Sequence, residues 1–155
     1  MYRIGRRFEN QVVRRLKKYG IDAKRVPLSG RLNPLLPRCD IIIKVDNKEL
    51  KGQLKYSRAN KVVFTQNEIK QLETGEISFL CFGFYKKEPK FLLLAGKNFE
   101  PAGKKIHKES DNLNISINES DVDYIVYKRH LVLKVVDFNT FVSMLKNKQI
   151  MLFVK

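Results

Sequence analysis

Asp40-Ile41-Ile42-Ile43-Lys44-Val45-Asp46-Asn47-Lys48-Glu49-Leu50-Lys51-Gly52-Gln53-Leu54-Lys55-Tyr56 is the stretch from which the fold is read. Its first half, opened by Asp40, is β-branched, a composition that suits a pleated, buried strand. Its second half alternates. Leu50, Gly52, Leu54 and Tyr56 fall on one face, and Lys51, Gln53 and Lys55 on the other, the period of two that marks a half-buried strand. The polar turn Asp46-Asn47-Lys48-Glu49 joins the halves into a β-hairpin.

Upstream, Phe8, Val12, Leu16 and Tyr19 recur at helical spacing, which predicts an amphipathic helix over 6–19, stopped by Gly20. Residues 21–27 read as a short strand ending at Pro27, and a Gly- and Pro-punctuated loop runs to Arg38. Downstream, Thr65-Gln66-Asn67-Glu68 is a capping box, so a short helix is expected over 66–74 with its stop at Gly75. Ile77–Tyr85 and Phe91–Ala95, joined by the turn Lys86–Lys90, read as paired strands. From Gly96 to Ser120 the chain reads as polar loop. One or two strands are expected in 124–136, a helix capped by Asp137 through Phe138, Phe141, Met144 and Leu145, and a last strand at Ile150–Val154.

The length of 155 residues suits one domain, and 43% apolar residues suffice for a core. No run of about 18 apolar residues marks a membrane span. The opening residues lack the apolar stretch of a signal peptide. Cys39 and Cys81 form no CxxC pair, which excludes a disulfide scaffold or zinc ribbon and points to a reducing, cytoplasmic setting (the nucleoid, or a host cytoplasm for a viral protein). The net charge is +15, and residues 1–61, with seventeen Lys/Arg and five Asp/Glu, carry +12 of it. Such an asymmetry calls for a polyanion, usually nucleic acid. A basic protein with no nucleic-acid role, a ribosome-associated protein and a membrane-surface binder are the alternatives, the last disfavoured for want of large apolar anchors.

The hairpin gathers a carboxylate, an amide and an amine. Asp40 opens one strand, while Gln53 and Lys55 share one face of its neighbour. Phosphodiester hydrolysis uses these groups. A carboxylate holds a divalent cation that polarises the phosphate and acidifies water, and an amine orients or deprotonates that water and offsets developing charge. The Gln53 amide oxygen and the Leu54 backbone carbonyl are neutral oxygen donors. Glu9, flanking the helical stripe, would supply a second carboxylate if the helix packs on the hairpin. The plainer reading is a strand-start Asp40 and a solvated Gln53/Lys55 face. Cys39 is expected in the core, Tyr56, Phe64 and Tyr85 in packing, and His107 and His130 on the surface. Arg14-Arg15-Leu16-Lys17-Lys18 is either a solvated helix face or a nonspecific phosphate contact.

Several segments in order resemble the archaeal-type Holliday junction resolvases of the PD-(D/E)XK nuclease superfamily, over residues 5 to about 95. Gly5-Arg6-Arg7-Phe8-Glu9 resembles the family's opening helix and its acidic ligand. Arg25-Val26-Pro27-Leu28-Ser29-Gly30 resembles its Arg-x-Pro-x-Ser-Gly segment, and Pro37-Arg38-Cys39-Asp40 its Pro-x-Pro-Asp strand. Gln53-Leu54-Lys55-Tyr56 stands where the family has Glu-x-Lys-Ser, and Gln66, Ile69 and Leu72 resemble the helix after the catalytic hairpin.

The resemblance implies an α/β fold: a restriction-endonuclease-like core, a mixed central β-sheet flanked by helices, over 1–95, with a C-terminal α+β extension, 96–155, packed on or completing the same domain. It implies a homodimeric Mg²⁺-dependent (or Mn²⁺-dependent) endonuclease acting on four-way or other branched DNA, with no membrane partner. Glu9 and Asp40, with Gln53 and the Leu54 carbonyl, would hold the metal. Lys55 would be the catalytic lysine, and Ser29 would contact the scissile region. Arg6, Arg7 and Arg25 would hold DNA phosphates, and the basic residues Arg31, Arg38 and Lys61 are further candidate DNA contacts. The departures are Gln53 for Glu, Cys39 for Pro and Tyr56 for Ser. Gln53 removes one negative charge unless another carboxylate compensates. It keeps open a homing- or restriction-type duplex endonuclease, since Gln-x-Lys occurs in that superfamily, and a non-catalytic DNA-binding module.

Overall fold

The computed structural model of the chain describes residues 2–26, 39–95, 107–110, 113–118, 123–128 and 130–148. Most of its elements follow from the patterns above. Helix α1 (Tyr2–Lys18) buries Phe8, Val12, Val13 and Leu16. It starts four residues before the expected point, because the apolar stripe begins only at Phe8 and leaves the first turn without a signal. Gly20, at φ +82°, follows its end as expected. Tyr19, counted in the stripe, is instead 43% exposed, with its ring 5.8 Å from Phe138.

Strand β1 (Asp22–Arg25) pairs antiparallel with β2 (Ile41–Val45). β2 turns through Asp46-Asn47 into β3 (Lys48–Ser57), and their register runs from Val45↔Lys48 to Ile41↔Gly52. Leu50, Gly52 and Leu54 are buried while Lys51, Gln53 and Lys55 are half-buried, so the expected alternation is present. A short strand β4 (Lys61–Phe64) precedes α2 (Gln66–Thr74). Both reciprocal bonds of the Thr65/Glu68 capping box are made, and Gly75 ends α2 in the left-handed region at φ +86°. The chain then crosses back to place β5 (Phe79–Phe84) parallel to β3, and β6 (Lys90–Leu94) returns antiparallel to β5.

The stretch 96–120 is not all loop. Strands β7 (His107–Ser110) and β8 (Ile115–Asn118) lie within it, β8 pairing with β4. Then come β9 (Tyr124–Tyr127), β10 (Leu131–Asp137) and α3 (Phe138–Lys146), the last capped by Asp137 as expected. β10 pairs antiparallel with β6, so strands from the later part of the chain extend the sheet begun by the hairpin. Among the described residues the main sheet has eight strands in the order β1-β2-β3-β5-β6-β10-β9-β7. The expected strand at Ile150–Val154 lies outside the described residues. No helix among the described residues is long and apolar enough to cross a membrane.

Alternation along the central strands gives the sheet two apolar faces. Phe79, Cys81, Phe91 and Leu93 pack under α1 and α3 with Phe8, Leu16, Phe138 and Phe141. Leu80, Phe82, Phe84 and Leu92 pack on the other side with Ile69 and Leu72 of α2 and with β4 and β8. Two glycines let aromatic rings lie on the backbone. A Cβ at Gly52 would fall 2.2 Å from the Phe79 ring, and one at Gly83 would fall 2.5 Å from the Phe8 ring. Cys81 is fully buried, and burial pushes its thiol well above the ordinary range.

Candidate active site

The site is built where β2 stops pairing with β3. The last register pair is Ile41↔Gly52, and the Asp40 N–H closes the ladder on the Gly52 carbonyl at 2.9 Å. The Asp40 carbonyl accepts the N–H of Val26 at 2.8 Å, which ties β1 to the same end. Beyond that end β3 continues without β2, and the Asp40 side chain takes over. Its Oδ2 accepts the Leu54 N–H at 2.8 Å. The side chain thereby replaces a ladder bond, and a charged acceptor makes that bond stronger than a neutral one. Asp40 is 4% exposed, one of two buried polar residues among those described. Such burial is rare for Asp without partners.

Backbone directions fix a second donor. In an extended strand the N–H and C=O of one residue point to the same neighbour. Because the Leu54 N–H points to Asp40, its carbonyl faces the same edge. The residues on either side, Gln53 and Lys55, turn their backbones to β5 and their side chains to the face covered by α2. Cys39 packs with Val26 and Ile42, as expected of a core residue. Its thiol is pushed up to about 11, chiefly by burial, with Lys51 opposing and Asp40 adding to the shift.

Glu9 enters from α1, on the opposite face. It is half-buried and lies 3.8 Å from the Arg25 guanidinium. Arg25 and Ala23 share one face of β1, and Ala23 packs in the core under α1, so the pairing follows from the packing of helix on strand. Arg25, expected at a DNA phosphate, therefore stands beside Glu9. Arg6 and Arg7 are exposed on α1, and Lys61 is exposed on β4. Ser29, Arg31 and Arg38 lie outside the described residues.

Lys55 has a partner that sequence reasoning placed only in a helix cap. Its Nζ lies 3.2 Å from Oε2 of Glu68, the third residue of α2. The capping box announced the helix. Only the shared face of β3 and α2 brings the two side chains together, and no local spacing encodes that. Tyr56 packs on Phe8, with ring centroids 5.2 Å apart, and Phe64 is fully buried, both as expected. Tyr85 is not a packing residue: it is 54% exposed because the apolar run of β5 ends in the turn to β6. His130 is exposed as expected, 3.9 Å from Glu73.

Among the described residues no three His, Cys, Asp or Glu side chains form a metal-holding group. Of the oxygen donors expected for a hard cation, the Asp40 carboxylate lies on the Leu54 N–H, Gln53 is the residue before Leu54 on the α2 face, and Glu9 comes from the α1 face. Mg²⁺ is bound through one or two carboxylates with water and phosphate filling the other positions, so this donor set fits it in kind.

The sequence model of a family described as archaeal Holliday junction resolvase (hjc) matches residues 1–83. Among solved structures, that of Archaeoglobus fulgidus Hjc, a Holliday junction resolvase from an archaeal hyperthermophile, is similar with a TM-score of 0.56 and 18% identity. The match covers 90% of this chain and 95% of that one. At that identity it speaks for the restriction-endonuclease-like fold. No curated protein matches the chain.

Proposed function

This chain belongs to the archaeal Holliday junction resolvase family, whose members are DNA nucleases, and on that premise we propose that it resolves four-way or related branched DNA by metal-dependent phosphodiester hydrolysis. The observation that carries the proposal is the buried Asp40 carboxylate, bonded at 2.8 Å to the N–H of Leu54, between Gln53 and Lys55. The +15 net charge supports a polyanionic substrate.

In this reading Glu9, Asp40, the Gln53 amide and the Leu54 carbonyl hold Mg²⁺, or Mn²⁺ in its place. When bound, the cation supplies charge to the scissile phosphate and lowers the pKa of nearby water. The chain's own residues do the rest. Asp40 keeps its carboxylate at the strand end through the bond to Leu54. Lys55 projects an ammonium from the neighbouring position of β3, where it orients the water and offsets the negative charge that grows on the phosphate. Ser29 contacts the scissile region. Arg6, Arg7, Arg25, Arg31, Arg38 and Lys61 hold phosphates and position the DNA without reading its sequence. Arg25 also neutralises part of Glu9. A homodimer would place two such sites for paired cuts across a junction. We treat 1–95 as the nuclease core and 96–155 as an extension that completes the same domain.

Gln53 favours a second reading, a sequence-specific duplex endonuclease of the same fold, because Gln-x-Lys departs from the resolvase pattern. A substrate panel separates the readings. Labelled four-way junction, linear duplex of the same sequence and genomic DNA are incubated with Mg²⁺ and with a chelator. Metal-dependent cutting of the junction alone is expected. Discrete genomic fragments without junction cutting would favour the second reading, and junction binding without any cutting would make the chain a binding module.

A further inference from the structure

We propose that Glu68 is a positioning residue for Lys55, and that the C-terminal part of the chain steadies the helix end that carries it; this rests on the reading of Lys55 as the catalytic lysine. A lysine carries its charge on a flexible four-carbon stem, so an exposed ammonium is poorly placed unless a partner holds it. Lys55 is 36% exposed in its side chain, and its Nζ lies 3.2 Å from Glu68 Oε2. The Glu68 side chain is only 14% exposed, and its other oxygen is also committed. Oε1 accepts from the Thr65 N–H at 2.9 Å and from the Thr65 hydroxyl at 3.1 Å. The hydroxyl in turn accepts the Glu68 N–H at 3.2 Å. With one oxygen fixed by the cap, the second is fixed against Lys55.

The cap itself does not need a charge, because glutamine closes a capping box as glutamate does. The negative charge of Glu68 is therefore available for the lysine. On the same strand face, two residues before Lys55, Gln53 brings none. Glu68 places a carboxylate on the lysine from the neighbouring helix.

Behind Glu68 stand residues beyond the 1–83 segment matched by the family. Asn114 Oδ1 accepts the N–H of Gln66, the first residue of α2, at 3.0 Å. Phe64, just before the cap, pairs with Ile115. The Tyr127 hydroxyl donates to the Leu113 carbonyl at 2.6 Å, which anchors the turn that presents Asn114. The first turn of α2 is thus held from outside the matched core.

Glu68→Gln keeps the cap and removes the charge, which separates positioning from folding. In single-turnover cleavage of a four-way junction with Mg²⁺, we expect its rate to fall ~10- to ~100-fold with unchanged junction affinity and unchanged melting temperature. In the metal-free protein, ¹³C relaxation of the Lys55 ε-carbon should show larger motion in Glu68→Gln. Asn114→Ala should give a smaller loss in the same direction, restored by Asn114→Asp, which keeps the acceptor oxygen. Adding Glu68→Gln to Lys55→Met should cost nothing further. A wild-type rate and unchanged ε-carbon motion in Glu68→Gln, beside an inactive Lys55→Met, would overturn the positioning role while leaving the function intact. Normal cleavage by Lys55→Met would instead overturn the functional reading and this inference with it.

Discussion

Asp40 Oδ2 stands where the next rung of the β2–β3 ladder would be, accepting the Leu54 N–H at 2.8 Å just past the last paired residues, Ile41 and Gly52. One carboxylate therefore terminates a strand pairing and marks the start of the candidate site. The two roles can be separated. Asp40→Asn retains an oxygen acceptor for Leu54, whereas Asp40→Ala leaves a buried N–H without a partner, at a cost of ~1–3 kcal/mol. Urea unfolding should rank Asp40→Ala clearly below Asp40→Asn, and equal stabilities would mean that the bond contributes little.

Gly52 should tolerate no side chain. A Cβ there would lie 2.2 Å from the fully buried Phe79 ring, so Gly52→Ala forces ring or strand to shift. The overpacking cost is expected at ~1–3 kcal/mol by chemical denaturation. Phe79→Leu in the same chain should recover part of it, because the clash is with the ring itself.

Gln53→Glu would return a negative charge to the candidate cation site. Cation affinity rises with the number of charged oxygen ligands. Titration of the variant with Mn²⁺, followed by electron paramagnetic resonance, should show tighter binding than the parent. Weaker or equal binding would place Gln53 away from the cation.

The α3 cap should be sensitive to acid. The bonds from Thr140 to the Asp137 carboxylate hold its pKa below the ordinary 3.8. A depressed carboxyl stabilises the fold above its unfolded pKa, and that contribution is lost as pH falls from there through the folded value. Asp137→Ala should cost ~1 kcal/mol near neutrality. The gap between parent and variant should narrow as pH is lowered below about 4, the ordinary Asp range. A gap independent of pH would mean that the cap does not act through its charge.

What the sequence disclosed was what is local. The hairpin was legible because alternation at Leu50, Gly52, Leu54 and Tyr56 is written residue by residue. Helix α2 was legible because its cap spans four residues, and so was α3. Strands β4, β7 and β8 escaped because they lie in short, polar-flanked stretches, and β4 gains its order from β8, some fifty residues later. Tyr85 was misread because an apolar run does not show where it leaves the sheet. At the site, the order Asp40, Gln53, Lys55 was visible from strand periodicity. The Glu9–Arg25 and Lys55–Glu68 pairs were not, since each depends on how a helix lies on the sheet.

If Asp40 serves hydrolysis of branched DNA, its amide variant must lose cutting and keep binding. The most direct measurement is cleavage of a labelled four-way junction with Mg²⁺ by the parent and by Asp40→Asn, with junction affinity measured on the same preparations. The parent is expected to cut the junction and spare the linear duplex. Asp40→Asn is expected to bind the junction as tightly as the parent and to cut it at least ~100-fold more slowly. Cutting at the parental rate by Asp40→Asn would remove Asp40 from the hydrolysis.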